Sequence, residues 1–534
     1  MKKIIHFLII LALPALLFTG CTKMMEDMNN DPKSVTNDKL VADGILYKQH
    51  IISMELNLFN LTTSWEYQVQ QNLNADIFAG YTMPPVNFGT TTTNDNYNWN
   101  MGWNGWAFSV AQQNLTDFLQ LKSQTLDGTK NGDFYAYGLI LKVMTALPLV
   151  DDFGPFPYLQ YGVGINPVFN NVDSIYKFGF IRDLTQARDT LEAVAKTAAA
   201  KRVQNSGADI STLGGDIKKW IKLANTLKLR LAMRISDVDP TDAAIYVQDV
   251  VSDPNGFLDQ TTGDFAIDCL AGNANGATNP FTNLSTSWDN CSMSADMQSF
   301  LGGFQDPREA VYFLTSTDTA DNAQGKFAGV RPGSAPNSGN YSRFSLLKVP
   351  RYFMLVSGAE SYFLLAEAAT KSLGGLTPSS AQSYYENGVS ASFVLRGLTQ
   401  DQATTYLTST NTPEDYVDYY KPVNNYTATT TVTPKWDGTN MQEKIITQKW
   451  IALFPMGVEA WAEFRRTGFP KLMLPANMVA SANFDGSIPA GKFAKRLPYP
   501  TNIINLNPVQ ATVAVTKYLN GKDDGYQKIW WMPN

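Results

Sequence analysis

The stretch Asn94-Asp95-Asn96-Tyr97-Asn98-Trp99-Asn100-Met101-Gly102-Trp103-Asn104-Gly105-Trp106 interleaves aromatic rings with carboxamides. Flat rings stack on the C–H faces of sugars, and amides bond hydroxyl edges. Gly102 and Gly105 give the backbone freedom to present such groups. Trp99 and Trp103, with Tyr97 and Asn98 just before them, are therefore candidate ligand contacts. The spacing puts them on a loop ahead of a helix that Trp106, Phe108, Val110 and Leu115 anchor by packing. These rings could instead all serve as packing. Trp288, beside Asp289 and Asn290, is a second candidate, and Arg331 and Tyr341 lie in a loop of the same kind.

Other constellations read as structural. Glu360 and Glu367 stand seven apart on one helix face, where two turns separate the backbones by about 10.5 Å. Side-chain rotation could bring that spacing to a glycosidase carboxylate pair. Ion pairing inside a helical scaffold explains it as well. Trp450, Trp461, Arg465 and Arg466 read as packing and salt bridging. Asp151 and Asp152 supply too few oxygens for calcium, and the run Asp152-Phe153-Gly154-Pro155-Phe156-Pro157-Tyr158 reads as a helix-ending turn. The sequence implies no cofactor and no metal.

The whole chain narrows the function further. Its 534 residues carry 42 Lys+Arg, 48 Asp+Glu and 2 His, a formal charge of −6. An acidic protein is a poor nucleic-acid binder. Lys2 and Lys3, then an apolar run from Ile4 to Phe18, then Thr19-Gly20-Cys21, follow secretory signal logic. The apolar run is short for a membrane span. Thr19-Gly20-Cys21 resembles a bacterial lipobox, in which the cysteine is acylated and becomes the new N-terminus. Cleavage there removes His6 and leaves His50, so no two-histidine metal site can form and a Ser-His-Asp triad would have to use His50. Cys269 and Cys291 could pair in an oxidising compartment or stand as two thiols.

Helices must carry the remaining residues. From Asp216 to Ile235, Ile217, Trp220, Ile221, Ala224, Leu227, Leu231 and Ile235 keep helical spacing, with basic residues on the other side and Asp216 as N-cap. A second helix is expected near Arg351 to Lys371, stopping at Gly374-Gly375. Thr377-Pro378 then opens a helix through Ala381, Tyr384, Tyr385 and Val389 that packs back on it. A further helix should cover Glu443 to Arg466, bent at Pro455-Met456-Gly457. Asp306-Pro307-Arg308 should start another. The polar stretches 82–105, 272–290, 316–342 and 409–439 read as long loops. The expectation is a signal segment 1–20, a tether 21–36 and one large α-helical domain over 37–534.

Several segments together resemble the SusD/RagB nutrient-binding outer-membrane lipoproteins of Bacteroidetes, in particular a second SusD-like subgroup. They are Asn30-Asp31-Pro32, the Asp152–Tyr158 run, Trp220-Ile221-Lys222 with Asn225 and Leu227–Arg230, and Asp306-Pro307-Arg308. Ala359-Glu360-Ser361-Tyr362-Phe363-Leu364-Leu365-Ala366-Glu367-Ala368 and Gln448–Phe454, leading into Glu459-Ala460-Trp461 and Arg465–Pro470, match strongly. Arg496–Pro500 and Trp530-Trp531 complete the order. Glu26-Asp27 after the cysteine is similar to a surface-export signal.

The resemblance implies an all-α fold, a right-handed superhelix of tetratricopeptide-like helix pairs with extra helices, long loops and little β structure. It implies non-catalytic capture of a nutrient, usually a glycan, at the outer-membrane surface. It also implies a SusC-like TonB-dependent transporter as partner. The alternatives are a RagB-type peptide binder, a lipid-anchored glycosidase and a structural lid without ligand contact.

If Cys21 is the acylated residue, Cys21→Ala leaves the protein unacylated and absent from the outer-membrane fraction. Wild-type fractionation of the variant would refute this.

Overall fold

The computed structural model describes residues 44–85, 94–97, 100–270, 272, 274–288, 290–317, 323–334, 344–476 and 488–533. Cys21, Asn98, Trp99 and Tyr341 lie outside them. The chain divides into units 1–47 and 48–534. The described part of the first opens helix α1 (Ile45–Leu56); everything below concerns the second.

Its longer helices are α2 (Met101–Gln124), α3 (Gly132–Phe153), α4 (Arg182–Ala195), α5 (Ile217–Ile235) and α6 (Pro240–Ser252). They continue with α7 (Glu360–Thr370), α8 (Ala381–Leu395), α9 (Met441–Leu453) and α10 (Gly457–Thr467). Successive helices pack in pairs, α3 on α4, α5 on α6 and α7 on α8, in a mostly α-helical, tetratricopeptide-like fold. Four short strands β1 (Thr82–Met83), β2 (Phe265–Asp268), β3 (Ser292–Met293) and β4 (Tyr352–Val356) form two antiparallel two-stranded sheets, β1 with β3 and β2 with β4.

Helix α5 shows why these elements form. The Asp216 carboxylate accepts the Lys218 N–H at 2.9 Å, capping it as its sequence position requires. Trp220 is fully buried, stacked on Tyr137 at 4.1 Å, with its indole N–H on Asp209 at 2.7 Å. Leu227 is fully buried too. The basic side of α5 is not a solvated face, however. Lys228, Arg230 and Arg234 are also buried, because carboxylates from neighbouring helices meet them.

Three other elements depart from expectation. Tyr352–Val356 is strand, not helix, because it finds β2 as a partner with Ile267 opposite Phe353; α7 begins only at Glu360. The expected helix over 443–466 is two helices, because Phe454-Pro455-Met456 breaks the ladder where proline offers no N–H. Asp306-Pro307 starts only the one-turn helix Glu309–Tyr312, the Asp306 carboxylate being taken by the Arg308 guanidinium at 2.6 Å. The α7–α8 hairpin forms as expected. A short 3₁₀ turn (Pro378–Ser380) precedes α8, and Thr377 caps nothing with its side chain. Gly388 lets α8 approach closely, since a Cβ there would meet the Phe363 ring at 2.8 Å. Gly374 and Gly375 both have positive φ, 58° and 76°, and end the preceding segment.

Helix α3 is long and apolar enough to cross a membrane, yet 94% of its apolar window is buried inside the protein. Lys142, on that helix, pairs with Asp183 of α4 at 2.8 Å. The helix ends at Phe153, where Gly154 takes φ +93°. The two described cysteines are both free. Cys291 is buried beside the Asn72 amide at 3.4 Å, Cys269 is half-buried, and burial pushes their thiols up to about 12 and about 11.

The α3, α5, α7, α9 and α10 helices meet in a buried ion-pair lattice. Arg234 bonds Asp151 at 2.8 Å, Glu459 at 2.6 Å and Glu463 at 3.2 Å. Arg230 grips Glu360 with two bonds of 2.8 and 2.5 Å. Lys449 lies 3.4 Å from Glu360 and 3.2 Å from Glu463. Arg466 joins Glu463 at 2.7 Å to Glu367 at 2.6 Å.

Trp220→Ala should cost about 3–5 kcal/mol by emptying an aromatic-sized site. Arg234→Met should cost a comparable amount, about 3–5 kcal/mol, by leaving three buried carboxylates short of their partner. Both are read by denaturant unfolding; a loss below about 1 kcal/mol in either would contradict the burial described.

Candidate functional site

Two indole rings, Trp65 and Trp106, meet near the protein surface. Trp65 sits on the short helix Ser64–Tyr67 and is 42% exposed. Its ring meets Trp106 of α2 edge-on, with centroids 4.7 Å apart at 86°. Trp103 lies one helical turn before Trp106 on the same side of α2, and both are half-buried. The segment 282–288 runs beside the Trp65 helix, tied to it by the Asn283 amide on the Ser64 hydroxyl at 3.0 Å. A second tie runs from the Thr278 N–H to the Leu61 carbonyl at 2.7 Å. Trp288, 40% exposed, ends that segment. Polar groups stand close by. The Asn60 amide donates to Glu66, and Asn60 also accepts the Thr62 hydroxyl at 2.8 Å.

Local sequence accounts for this placement. Asn100 caps α2, its side chain accepting the Gly102 N–H at 3.2 Å, so the helix starts at Met101 and takes in Trp103. The expected loop position of Trp103 is thus corrected to the first turn of a helix. Tyr97 is placed differently. Its φ is +64°, it is 3% exposed, and its ring packs 5.8 Å from Phe78. It faces the core. Trp106, assigned to packing, does pack, but its partner is the exposed Trp65. Trp65 was not singled out from the sequence; an indole flanked by Thr62, Thr63, Ser64 and Glu66 was the available signal. Arg331 clamps backbone, bonding the Leu474 carbonyl at 3.0 Å and the Asn424 carbonyl at 3.1 Å, with its guanidinium over Tyr426.

The remaining chemical candidates are committed elsewhere. Glu360 and Glu367 are 0% and 1% exposed, each gripped by a guanidinium, so neither faces a substrate cleft. His50 bonds Asp117 through Nδ1 at 3.0 Å and Gln124 through Nε2 at 3.2 Å. The neighbouring Ser53 hydroxyl donates to the same Asp117 at 2.6 Å rather than to the imidazole, which is not a nucleophile–base arrangement. Asp152 pairs with Arg465 at 3.2 Å, and burial pushes its carboxyl up to about 7. No group of three metal-ligating side chains occurs among the described residues.

Asp296 is a further carboxylate that burial destabilises in its charged form. Its Oδ1 accepts the Met473 N–H at 2.7 Å, while Oδ2 has no partner among the described residues. With Asp95 it lines a small cavity of about 20 Å³, and burial pushes its carboxyl up to about 7.

A sequence model of the SusD-like family, described as "Susd and RagB outer membrane lipoprotein", matches residues 27–532. No curated protein matches the sequence. Among solved structures, a chitin-binding SusD homologue from Flavobacterium johnsoniae is 33% identical, with TM-score 0.82 over 91% of this chain and 98% of its own. A SusD homologue from Bacteroides vulgatus is 30% identical, with TM-score 0.81 over 91% of this chain and 99% of its own. A SusD-like protein from Bacteroides thetaiotaomicron is 28% identical, with TM-score 0.79 over 91% of this chain and 98% of its own.

The raised Asp296 carboxyl gives a signed pH dependence. Between about 4 and about 7 the folded state holds a proton that the unfolded chain has lost, so this residue's contribution to stability falls as pH rises through that window. Asn keeps the acceptor and cannot ionise. The melting temperature of Asp296→Asn, taken relative to wild type, should therefore rise from pH 4 to pH 8; a difference independent of pH would refute the assignment.

Proposed function

The chain belongs to the SusD-like family of nutrient-binding outer-membrane lipoproteins, and from that premise we propose that it binds a glycan at the indole surface and delivers it to a SusC-like TonB-dependent transporter. The carrying observation is the exposed Trp65, braced edge-on by the half-buried Trp106, with the exposed Trp288 on the adjoining segment. Exposed indoles offer apolar faces to sugar C–H groups, and their N–H edges can reach hydroxyls. Asn60, Thr62 and Glu66 add donors and acceptors. The likeness to a chitin-binding homologue supports a glycan over a peptide and makes chitin oligosaccharides the first probe. Trp103 belongs to this surface, and Asn98 and Trp99 precede it immediately in the chain. Lipid on Cys21, a tether over 21–36 and a body over 37–534 complete the reading.

No step of catalysis enters it. Retention and release need only complementary faces, and the Glu360 and Glu367 pair is held by arginine.

Trp65→Ala and Trp288→Ala should each weaken binding of chitohexaose about 5–30-fold, the range of a modest interface anchor. Both rings are exposed, so the melting temperature should change little. Calorimetry on the purified protein, with maltohexaose, xylohexaose and a tryptic peptide mixture as further probes, checks this. Unchanged affinity in both variants removes these rings from the site, and binding of peptides alone replaces the glycan reading.

A further inference from the structure

A second concavity lies away from the indole surface and shares no residue with it. It opens between the end of the helical segment 298–304 and the short helix Gln400–Tyr406, with a volume of about 380 Å³. Phe304 and Tyr406 form its floor, 1% and 4% exposed, with ring centroids 6.5 Å apart at 76°. Gln305, Asp401, Gln402 and Asn411 stand around it.

The backbone at Gln305 is unusual. Its N–H bonds the Gly302 carbonyl at 3.0 Å and the Asp306 N–H bonds the Leu301 carbonyl at 2.9 Å, the paired bonds of a helix C-terminal cap. The capping residue takes φ +52°. Glycine adopts that conformation without penalty and glutamine does not. The Gln305 side chain is exposed and makes no hydrogen bond with any described residue, so nothing within the fold accounts for a glutamine there. Its amide stands at the rim of the cavity. The Asn411 amide and the Asp401 carboxylate are likewise uncommitted among the described residues.

The chemistry of the rim selects a ligand class. No lysine or arginine lines the cavity among the described residues, and Asp401 repels anions, which excludes phosphorylated ligands. One carboxylate is too few for a calcium ion. The Gln305 and Asn411 amides, which donate and accept, and the Gln402 NH₂, whose carbonyl is taken by the Thr399 N–H at 2.9 Å, stand beside a carboxylate that accepts and match hydroxyl groups, which do both. The volume falls in the range that holds small ligands.

We infer that this cavity is a second saccharide subsite, taking a short, uncharged segment of glycan chain through Gln305 and Asn411, with Asp401 and Gln402 completing the rim. The inference rests on the glycan reading above. It adds a second point of attachment, so a long polysaccharide held at both would be retained more tightly than at either.

The test is calorimetric stoichiometry on the full protein with chitohexaose, maltohexaose and xylohexaose. Wild type should bind at least one of these at two sites per chain. Gln305→Gly should lose one site while its melting temperature stays equal or rises, because glycine relieves the backbone and only the side chain is missing. Asn411→Ala should weaken the same site 5–30-fold. The Trp65→Ala/Trp288→Ala double variant should keep it. One site in wild type, removed by the double variant, overturns this inference and leaves the glycan reading standing. Two sites in Gln305→Gly also overturn it. Binding that survives the double variant and disappears in Gln305→Gly supports this subsite and removes the indole surface instead. No binding of any of the three sugars overturns both.

Discussion

A single buried lattice of charge holds the scaffold in register. Arg230 and Arg234 of α5, Lys449 of α9 and Arg466 of α10 neutralise Asp151 of α3, Glu360 and Glu367 of α7, and Glu459 and Glu463 of α10. Taking any one of these ions out of water is expensive, and only mutual pairing offsets it. The balance differs from member to member. Glu463 touches Arg234, Lys449 and Arg466, and they hold its carboxyl well below the usual range despite complete burial. Asp152 has Arg465 as its salt-bridge partner, and there desolvation prevails in both directions, pushing the carboxyl up to about 7 and the guanidinium down to about 10. Because each central ion bonds two or three helices, the helices cannot slide independently. Geometry is therefore set by charge as much as by hydrophobic contact.

That lattice also marks the boundary of what one-dimensional reading could reach. The apolar positions of α5 and its Asp216 cap follow from periodicity and side-chain chemistry, and both are local. Whether Lys228, Arg230 and Arg234 meet water or carboxylates is not local. For Arg230 and Arg234 it depends on helices 83 to 225 residues away in sequence, α3, α7 and α10, whereas Lys228 meets Asp249 on the next helix, α6. Tyr352–Val356 failed for the same reason. Five large residues in a row fit strand or helix alike, and β2, more than eighty residues earlier in the chain, decides the matter. The break between α9 and α10 was visible as proline and glycine, but its size was not.

The proposed binding surface divides along the same line. The aromatic–amide run was legible because its composition is unusual. Its geometry was not, since Asn100 turned out to cap a helix and draw Trp103 into it, while Tyr97 turned inward on a left-handed backbone. Trp65 stayed invisible because an isolated indole between polar residues becomes a platform only when Trp106, forty residues on, is brought against its edge.

The platform and the lattice are connected by what binding demands. A sugar stacked on a mobile ring has to immobilise it, and that ordering entropy subtracts from affinity. Trp65 is steadied by an edge-to-face contact with Trp106, and Trp106 rides on a 24-residue helix. That helix packs on α3, whose Asp151 is fixed by Arg234. The segment bearing Trp288 is fastened to the Trp65 helix by Asn283 and to the chain before it by Thr278. Trp65 and Trp288 are thus exposed yet restrained at their roots, the condition that the proposed shallow site requires if it is to hold a flexible polymer without enclosing it.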